Sequence, residues 1–112
     1  MKTILRLINK AYLVVECLRM TGEREFPMQL ASTFFYIAAN DGFRQEDLVN
    51  ATSMSSSSVS RNVSWLGPQH RLGKDGLKPV YRERDPQDPK RWRIFLTPKG
   101  KKLKNMIETT LA

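Results

Sequence analysis

The sequence is poor in the residues that most catalytic and metal sites require. It contains one cysteine, Cys17, and one histidine, His70, which leaves no disulfide framework and no Cys/His cluster for zinc. The glycine-rich motifs that bind nucleotide phosphates are missing as well. His70 lies in a loop rich in Gly, Pro and Lys with no pattern of partners for a catalytic triad, and Cys17 fits better as a small buried apolar residue. We therefore expect no enzyme activity and no cofactor.

Long apolar runs are also missing. No stretch approaches the roughly 18 residues that a membrane-spanning helix needs, and the first 20 residues lack the small-residue cleavage site of a signal peptide. A chain of 112 residues has room for one domain, 1–112, around a single core. We expect a cytoplasmic protein without a membrane partner.

Acidic residues are scarce, and the imbalance is local. The chain has 19 Lys and Arg against 11 Asp and Glu, for a net charge of +8. Residues 1–70 hold 7 basic and 6 acidic side chains, whereas residues 71–104 hold 12 basic and 4 acidic ones. This concentration of positive charge is typical of a nucleic-acid-binding surface, but a solvated face without a partner has the same composition. Charge alone leaves both interpretations open.

Apolar periodicity predicts four helices in the first two thirds of the chain. The first, at 3–20, carries a stripe with three- and four-residue spacing. The second runs over 27–40, with a proline in its first turn and Asn-Asp-Gly at its end. A short helix at 45–51, a turn at 52–54 and a helix at 55–66 follow. Two short helices joined by a tight turn predict a helix-turn-helix.

The helix at 55–66 has the division of faces that a recognition helix needs. Val59, Val63 and Leu66 recur at i, i+4 and i+7, which anchors one side and leaves a hydroxyl-rich side opposite. Small hydroxyl side chains let a helix approach the floor of the major groove, and an arginine can pair with guanine. A serine run can also be a flexible linker, but the apolar spacing continues through this one. The predicted base-contacting residues are Ser55, Ser56, Ser57, Ser60 and Arg61.

After residue 66 the pattern changes from helical to alternating. Segments 80–84 and 92–96 predict two strands, with Trp92, Ile94 and Leu96 on one face. The loop between them contains two prolines and two aspartates, and its cationic end can reach a minor groove or a row of phosphates. Thr-Pro at 97–98 then starts a last helix. The predicted phosphate contacts are Arg82, Arg84, Lys90, Arg91 and Arg93.

The predicted fold is therefore mainly α with a small β-hairpin wing, which is a winged helix-turn-helix. Three segments look like the signature of the multiple-antibiotic-resistance repressor (MarR) family, and the resemblance covers most of the chain. These segments are Val59-Ser60-Arg61-Asn62-Val63-x-x-Leu66, Arg84-Asp85-Pro86-x-Asp88 and Ile94-x-Leu96-Thr97-x-x-Gly100.

The resemblance implies a homodimer that binds pseudo-palindromic duplex DNA, with the helix at 55–66 in the major groove and the wing at the minor groove. It also implies dimerisation helices at 1–22 and 98–112 around a DNA-binding core at 27–97. The implied interface residues are Ile4, Leu7, Ile8, Ala11, Leu103, Ile107 and Leu111.

The sequence departs from the family pattern in three places. The wing aspartate corresponds to Asp88, but the minor-groove arginine of the family corresponds to Lys90, so either Lys90 substitutes for it or Arg91 takes over. Segment 67–79 is longer than usual and is either an additional DNA-contacting loop or a surface insertion. The chain is also shorter than most family members, which leaves little basis for the ligand pocket of a small-molecule effector.

The leading hypothesis is a sequence-specific DNA-binding transcriptional regulator that represses by occlusion. Two alternatives use the same fold. One is a protein-binding or assembly module that captures a polymerase or a host factor through its basic face, and the other is an architectural protein that coats DNA without sequence preference.

Overall fold

The computed structural model describes residues 2–20, 26–67 and 78–112. The elements in chain order are α1 (Lys2–Arg19), α2 (Met28–Ala39), α3 (Gln45–Thr52), α4 (Ser56–Leu66), β1 (Val80–Arg84), β2 (Trp92–Leu96) and α5 (Pro98–Leu111). This order confirms the predicted winged helix-turn-helix, and each predicted boundary lies within two residues of the observed one. The two interpretations of segment 67–79 concern residues that lie mostly outside the described ranges, as does His70.

The first and last helices pack against each other. Val14, Cys17 and Leu18 of α1 are buried, and the Cys17 sulfur lies 3.8 Å from the Thr110 hydroxyl of α5. The Lys10 ammonium donates hydrogen bonds to the carbonyl oxygens of Leu111, the last residue of α5, and of Ala112, which follows it. The last carbonyls of a helix have no partner within the helix itself. The burial of Cys17 confirms its expected place as a small apolar residue. Within the described ranges, none of the helices has the length and apolar character to cross a membrane.

The centre of the core is formed by α2, α3 and α4. Leu30, Phe34 and Ile37 of α2 are fully buried and meet Leu48 of α3. Between α3 and α4 the backbone of Ser53 adopts a left-handed conformation, with φ at 57°, and its N–H donates to the carbonyl of Val49. This left-handed residue ends α3, and two further residues lead into α4.

The strands form an antiparallel hairpin in which Val80 pairs with Leu96 and Arg84 with Trp92. Residues 41–44, which follow α2, attach to the outer edge of β2. The Gly42 N–H donates to the Ile94 carbonyl at 2.8 Å, and the Ile94 N–H donates to the Phe43 carbonyl at 3.0 Å. These bonds fasten the base of the wing to the helix-turn-helix.

The Leu-Thr-x-x-Gly motif joins the wing to α5. The Thr97 hydroxyl accepts a hydrogen bond from the Gly100 N–H at 3.1 Å and donates one to the Lys78 carbonyl at 2.6 Å. A Cβ atom at Gly100 would overlap the carbonyl oxygen of Pro79. The motif therefore serves close packing between the start of α5 and the segment that leads into β1.

Candidate nucleic-acid interface

Helix α4 presents its two sides as the sequence predicts. Val59, Val63 and Leu66 are buried in the core, which confirms the anchoring side. Ser55, Ser56, Ser57 and Arg61 are exposed and Ser60 is half-buried, so the opposite side is lined by hydroxyls and one guanidinium group.

One member of the buried side was missed by the periodicity argument. Asn62 is buried, and its side-chain amide donates a hydrogen bond to the sulfur of Met54 at 3.6 Å. Met54 lies in the turn before α4 and packs against the core. This contact connects the turn to the middle of α4. The burial of Asn62 could not be predicted from the sequence, because one polar residue within an apolar stripe gives no periodic signal.

The first turn of α4 is held by a cluster of hydroxyl groups. Ser55 caps the helix, since its Oγ accepts from the backbone N–H of Ser58 at 3.1 Å. The Ser55 hydroxyl also lies 2.9 Å from the Ser58 hydroxyl and 3.1 Å from that of Ser57. The exposed start of the helix carries the partial positive charge of the helix dipole, which favours an anion there.

Arg61 is oriented by this cluster. Its Nη2 donates a hydrogen bond to Ser58 Oγ at 3.1 Å, one helical turn earlier. Ser58 was not among the predicted site residues, although its i, i+3 spacing to Arg61 is the signal that could have found it. The guanidinium group is thereby held along the exposed side of α4.

A cleft separates the start of α4 from the wing. Its volume is about 220 Å³. Ser56 of α4 lines one part of it, and Lys90, Arg91 and Trp92 at the wing end of β2 line another. Its remaining lining residues are Arg44, Gln45, Glu46 and Val49, from the start of α3. The hydroxyl-rich start of α4 and the cationic wing therefore border one concave surface.

The inner face of the wing stacks two arginines on one indole. The guanidinium carbon of Arg84 lies 3.7 Å from the centre of the Trp92 ring, and that of Arg82 lies 4.8 Å from it. Arg82 also donates to the side-chain oxygen of Gln45 on α3 at 3.3 Å. Burial, and then the charge of Arg84, lower the pKa of Arg82, but an arginine remains protonated at neutral pH. Arg84 is the more exposed of the two.

Asp85, at the end of β1, is buried beneath the wing. Its carboxylate accepts a hydrogen bond from the Gln87 N–H at 2.9 Å and forms ion pairs with Arg44 at 2.8 Å and Arg93 at 3.3 Å. The Gln87 N–H and then the two guanidinium groups hold the pKa of Asp85 below its ordinary value, although burial acts in the opposite direction. Arg93 also donates to the Gly42 carbonyl at 2.8 Å.

The wing tip is attached to α3 by further ion pairs. Arg91 contacts Glu46 of α3 and also pairs with Asp88 at 2.8 Å. Glu46 in turn lies 3.7 Å from Nη1 of Arg44. The Lys90 side chain is exposed and enters no ion pair with any residue of the described ranges.

The predicted phosphate-contacting residues thus divide into two groups. Arg91 and Arg93 are engaged in contacts within the chain, as is the predicted wing aspartate Asp88, whereas Lys90 projects from the wing tip and Arg84 lies over the indole. A DNA contact for any of them stays a prediction. Of the two alternatives for the minor-groove position, the geometry favours Lys90, because Arg91 already has two carboxylate partners.

In the parts of the chain that the structure describes, no group of three or more His, Cys, Asp or Glu side chains is arranged to hold a metal ion.

Neither a family model nor a curated protein matches this sequence, but solved structures do. A MarR transcriptional regulator from Methanosarcina mazei Go1 superposes with a TM-score of 0.68 at 22% identity, covering 99% of this chain and 76% of that one. The S. aureus MepR protein, solved as a DNA complex, gives a TM-score of 0.72 at 21% identity, covering 99% of this chain and 83% of that one. Streptomyces coelicolor PcaV gives 0.61 at 19% identity, with coverages of 94% and 71%. This chain has the MarR winged-helix fold.

The MarR-like fold accounts for the signature residues of the sequence by their contacts. Thr97 and Gly100 pack α5 against the wing, Asp85 anchors the wing from below, and Val59, Val63 and Leu66 seat α4 in the core. The motif that suggests the family is thus mainly a set of residues that build the fold.

The residues predicted for a dimer interface lie in two different environments of this MarR-like fold. Leu7 and Ile8 of α1 are 60% and 62% exposed, and Ala11 and Leu111 are exposed as well. Leu103 and Ile107 are only 8% and 7% exposed, because they pack into the core of their own chain. A contact of these two residues with a second chain stays a prediction. The side chain of Ile4 lies outside the described residues.

Proposed function

We propose that this protein is a transcriptional regulator that binds double-stranded DNA sequence-specifically and represses by occluding its site. The observation that carries the proposal is the shared cleft: the start of α4 and the tip of the wing border the same concave surface. A winged helix-turn-helix needs this arrangement in order to place a helix in the major groove and a loop beside it. The likeness to a regulator solved as a DNA complex supports it.

The two surfaces would divide the work of recognition. Ser55, Ser56, Ser57 and Ser60 can each donate or accept a hydrogen bond at a base edge, and Arg61 can pair with O6 and N7 of guanine. Lys90 and Arg84 present positive charge that suits phosphates or a narrow minor groove. Base contacts from α4 would set the sequence preference, while the wing cations would contribute mainly affinity.

A homodimer is part of the proposal. Leu7, Ile8 and Tyr12 of α1 are exposed and form an apolar surface that does not line the cleft between α4 and the wing. A two-fold dimer would place two α4 helices in successive major grooves about 34 Å apart, on a pseudo-palindrome with half-sites roughly 10 bp apart. We assign the protein no catalytic role and propose that it acts in the cytoplasm.

Selection of bound fragments from random duplex DNA tests the proposal directly. A regulator should enrich a two-fold site and should bind it at least about a thousandfold more tightly than random duplex at physiological salt. Equal affinity for all sequences would instead identify an architectural protein. Absence of micromolar binding to random duplex at low salt would favour a protein-binding module.

Substitution of single cations sharpens the test. Arg61→Ala should cost about 1–3 kcal/mol on the selected site and relax the preference at one base pair, whereas Lys90→Ala should weaken binding to all duplexes and lower the salt slope by about one. Lys101→Ala, which removes one exposed charge from α5, serves as the control and should change neither quantity. Full sequence preference in Arg61→Ala would contradict the assignment of α4.

A further inference from the structure

A chain of alternating charges runs from the base of the wing, across α3, to the wing tip. Each member contacts the next, and three of these contacts lie at 2.8–3.3 Å. The members in order are Arg93, Asp85, Arg44, Glu46, Arg91 and Asp88. The chain joins the two ends of the wing loop to the start of α3.

The wing loop has no apolar anchor of its own. Segment 85–91 reads Asp-Pro-Gln-Asp-Pro-Lys-Arg, so it cannot be seated by the burial of large apolar side chains. Within the loop, the Asp85 N–H donates to the Arg91 carbonyl and the Arg91 N–H donates to the Asp88 carbonyl, both at 2.9 Å. These bonds set the shape of the loop, but they do not fix its position relative to α4. The contacts to Arg44 and Glu46 do so, because both residues belong to the start of the helix-turn-helix.

The negative charge of Glu46 is unfavourable for binding DNA, so its position on this surface needs another explanation. It lines the cleft between α4 and the wing, where a carboxylate would repel phosphates. Its two guanidinium partners neutralise it, and its place in the first turn of α3 is favourable for a negative charge. The charge of Arg91 is in turn offset by its two carboxylate partners, Glu46 and Asp88, which leaves less positive charge for DNA phosphates.

We infer that Glu46 and Arg91 are positioning residues that latch the wing to α3 and thereby determine where Lys90 meets the duplex. The inference rests on the proposed function and deepens it. Arg91 acts through the position of the wing rather than by contact with phosphate. The latch decides which base pairs the wing covers once α4 is seated in its groove.

The test compares Glu46→Gln, Arg91→Gln and the double variant with the wild type. Glu108→Gln is the matched control, since it also removes one ion-paired, exposed carboxylate, but from the far end of α5. Glu46→Asp keeps the charge and should retain most of the wild-type behaviour. Two quantities are measured: hydrogen exchange of the Asp85 and Arg91 amides in the free protein, and the ratio of affinities for the selected site and for random duplex.

Each single variant should raise exchange at the two amides about threefold to fivefold and lower the affinity ratio by a similar factor, as expected for a partly exposed ion pair. The double variant should show less than the sum of the two single effects, because the contact between Glu46 and Arg91 is already lost in each single variant. The affinity of Glu46→Gln for random duplex should stay level or rise, because the substitution removes a negative charge that repels phosphates.

If Glu46→Gln bound all duplexes more tightly by the same factor and left hydrogen exchange unchanged, the latch would be contradicted. Glu46 would then act only as a negative charge near the DNA. The exchange arm needs no DNA. If the wild type binds no duplex while exchange still rises in the variants, the proposed function fails but the latch is retained as a structural element. If the wild type binds its site and neither quantity moves, the latch fails and the proposed function stands.

Discussion

The recognition helix and the wing border one cleft, but different forces hold them in place. Helix α4 is seated by Val59, Val63 and Leu66 in the core, and hydroxyl groups order its first turn. The wing loop is held by ion pairs around Asp85 and Glu46. Apolar burial responds little to salt or pH. The exposed ion pairs of Arg91 weaken as ionic strength rises, whereas the pairs of the buried Asp85 are screened less. The comparison suggests that α4 is the rigid element of the surface and the wing the adjustable one.

The largest effect is expected at the apolar anchor of α4. Leu66 is fully buried, so Leu66→Ala should lower the free energy of unfolding by about 2–5 kcal/mol, since it removes buried methyl groups and leaves a cavity. Urea denaturation measures it. Met28→Ala removes an equally large side chain that is 90% exposed and should change stability little. If both variants were equally stable, α4 would not be anchored by the core.

Gly100 allows the start of α5 to pack directly against the backbone of Pro79, the residue before β1. Gly100→Ala should destabilise the protein by about 1–3 kcal/mol, because the added methyl group meets the backbone of Pro79 and pushes α5 away from the base of β1. The sign of the stability change is informative, because replacing glycine with alanine stabilises a helix in which the added methyl group meets no obstacle. The melting temperature of Gly100→Ala is compared with that of Asn105→Ala, a control variant at an exposed position of the same helix. A rise in melting temperature for Gly100→Ala would show that this packing is looser than described.

The third prediction concerns pH and applies to the wing rather than to α4. The pKa of Asp85 is lowered in the folded protein, so its ionised form contributes stability above the ordinary pKa of about 4, and this contribution is lost as pH falls through the lower folded value. Asp85→Asn should therefore be less stable than the wild type at pH 7, and the difference should shrink below about pH 4.

Denaturation at a series of pH values measures that difference. Glu83→Gln, which alters an exposed carboxylate on the same strand, is the control. If the stability difference between Asp85→Asn and the wild type stayed constant down to pH 2, the stabilising role of the ion pairs that Asp85 forms with Arg44 and Arg93 would be contradicted.

The smallest effect is expected from the hydroxyl that orients Arg61. Ser58→Ala removes the acceptor for Arg61 Nη2, and we expect about a threefold loss of affinity for the selected site with little change on random duplex. Ser58→Thr keeps the acceptor and should behave like the wild type. Competition binding distinguishes them, and an equal loss in both variants would assign the effect to packing instead.

Much of the local structure could be predicted because it depends on neighbours in sequence. The stripe of Val59, Val63 and Leu66 defines a buried face, and Thr97-Pro98 defines a helix start, whatever the rest of the chain does. Periodicity likewise places Leu103 and Ile107 on an apolar face of α5, and in the fold this face packs against the chain's own core. Periodicity identifies which side of a helix is apolar, not which surface covers it.

By itself, the sequence determined the order of the elements, the capped starts of α4 and α5, and the concentration of positive charge in the last third of the chain. Only the tertiary structure decided which of those charges have a carboxylate partner within the fold. Arg44 and Asp85 are 41 positions apart and Glu46 and Arg91 are 45 apart, yet each pair is in contact. Spacing along a chain sets local geometry through the backbone, but a charge acquires its partner through folding. For this reason the sequence could predict Arg91 and Arg93 as DNA contacts but could not show that both are ion-paired within the fold, while Lys90 is exposed.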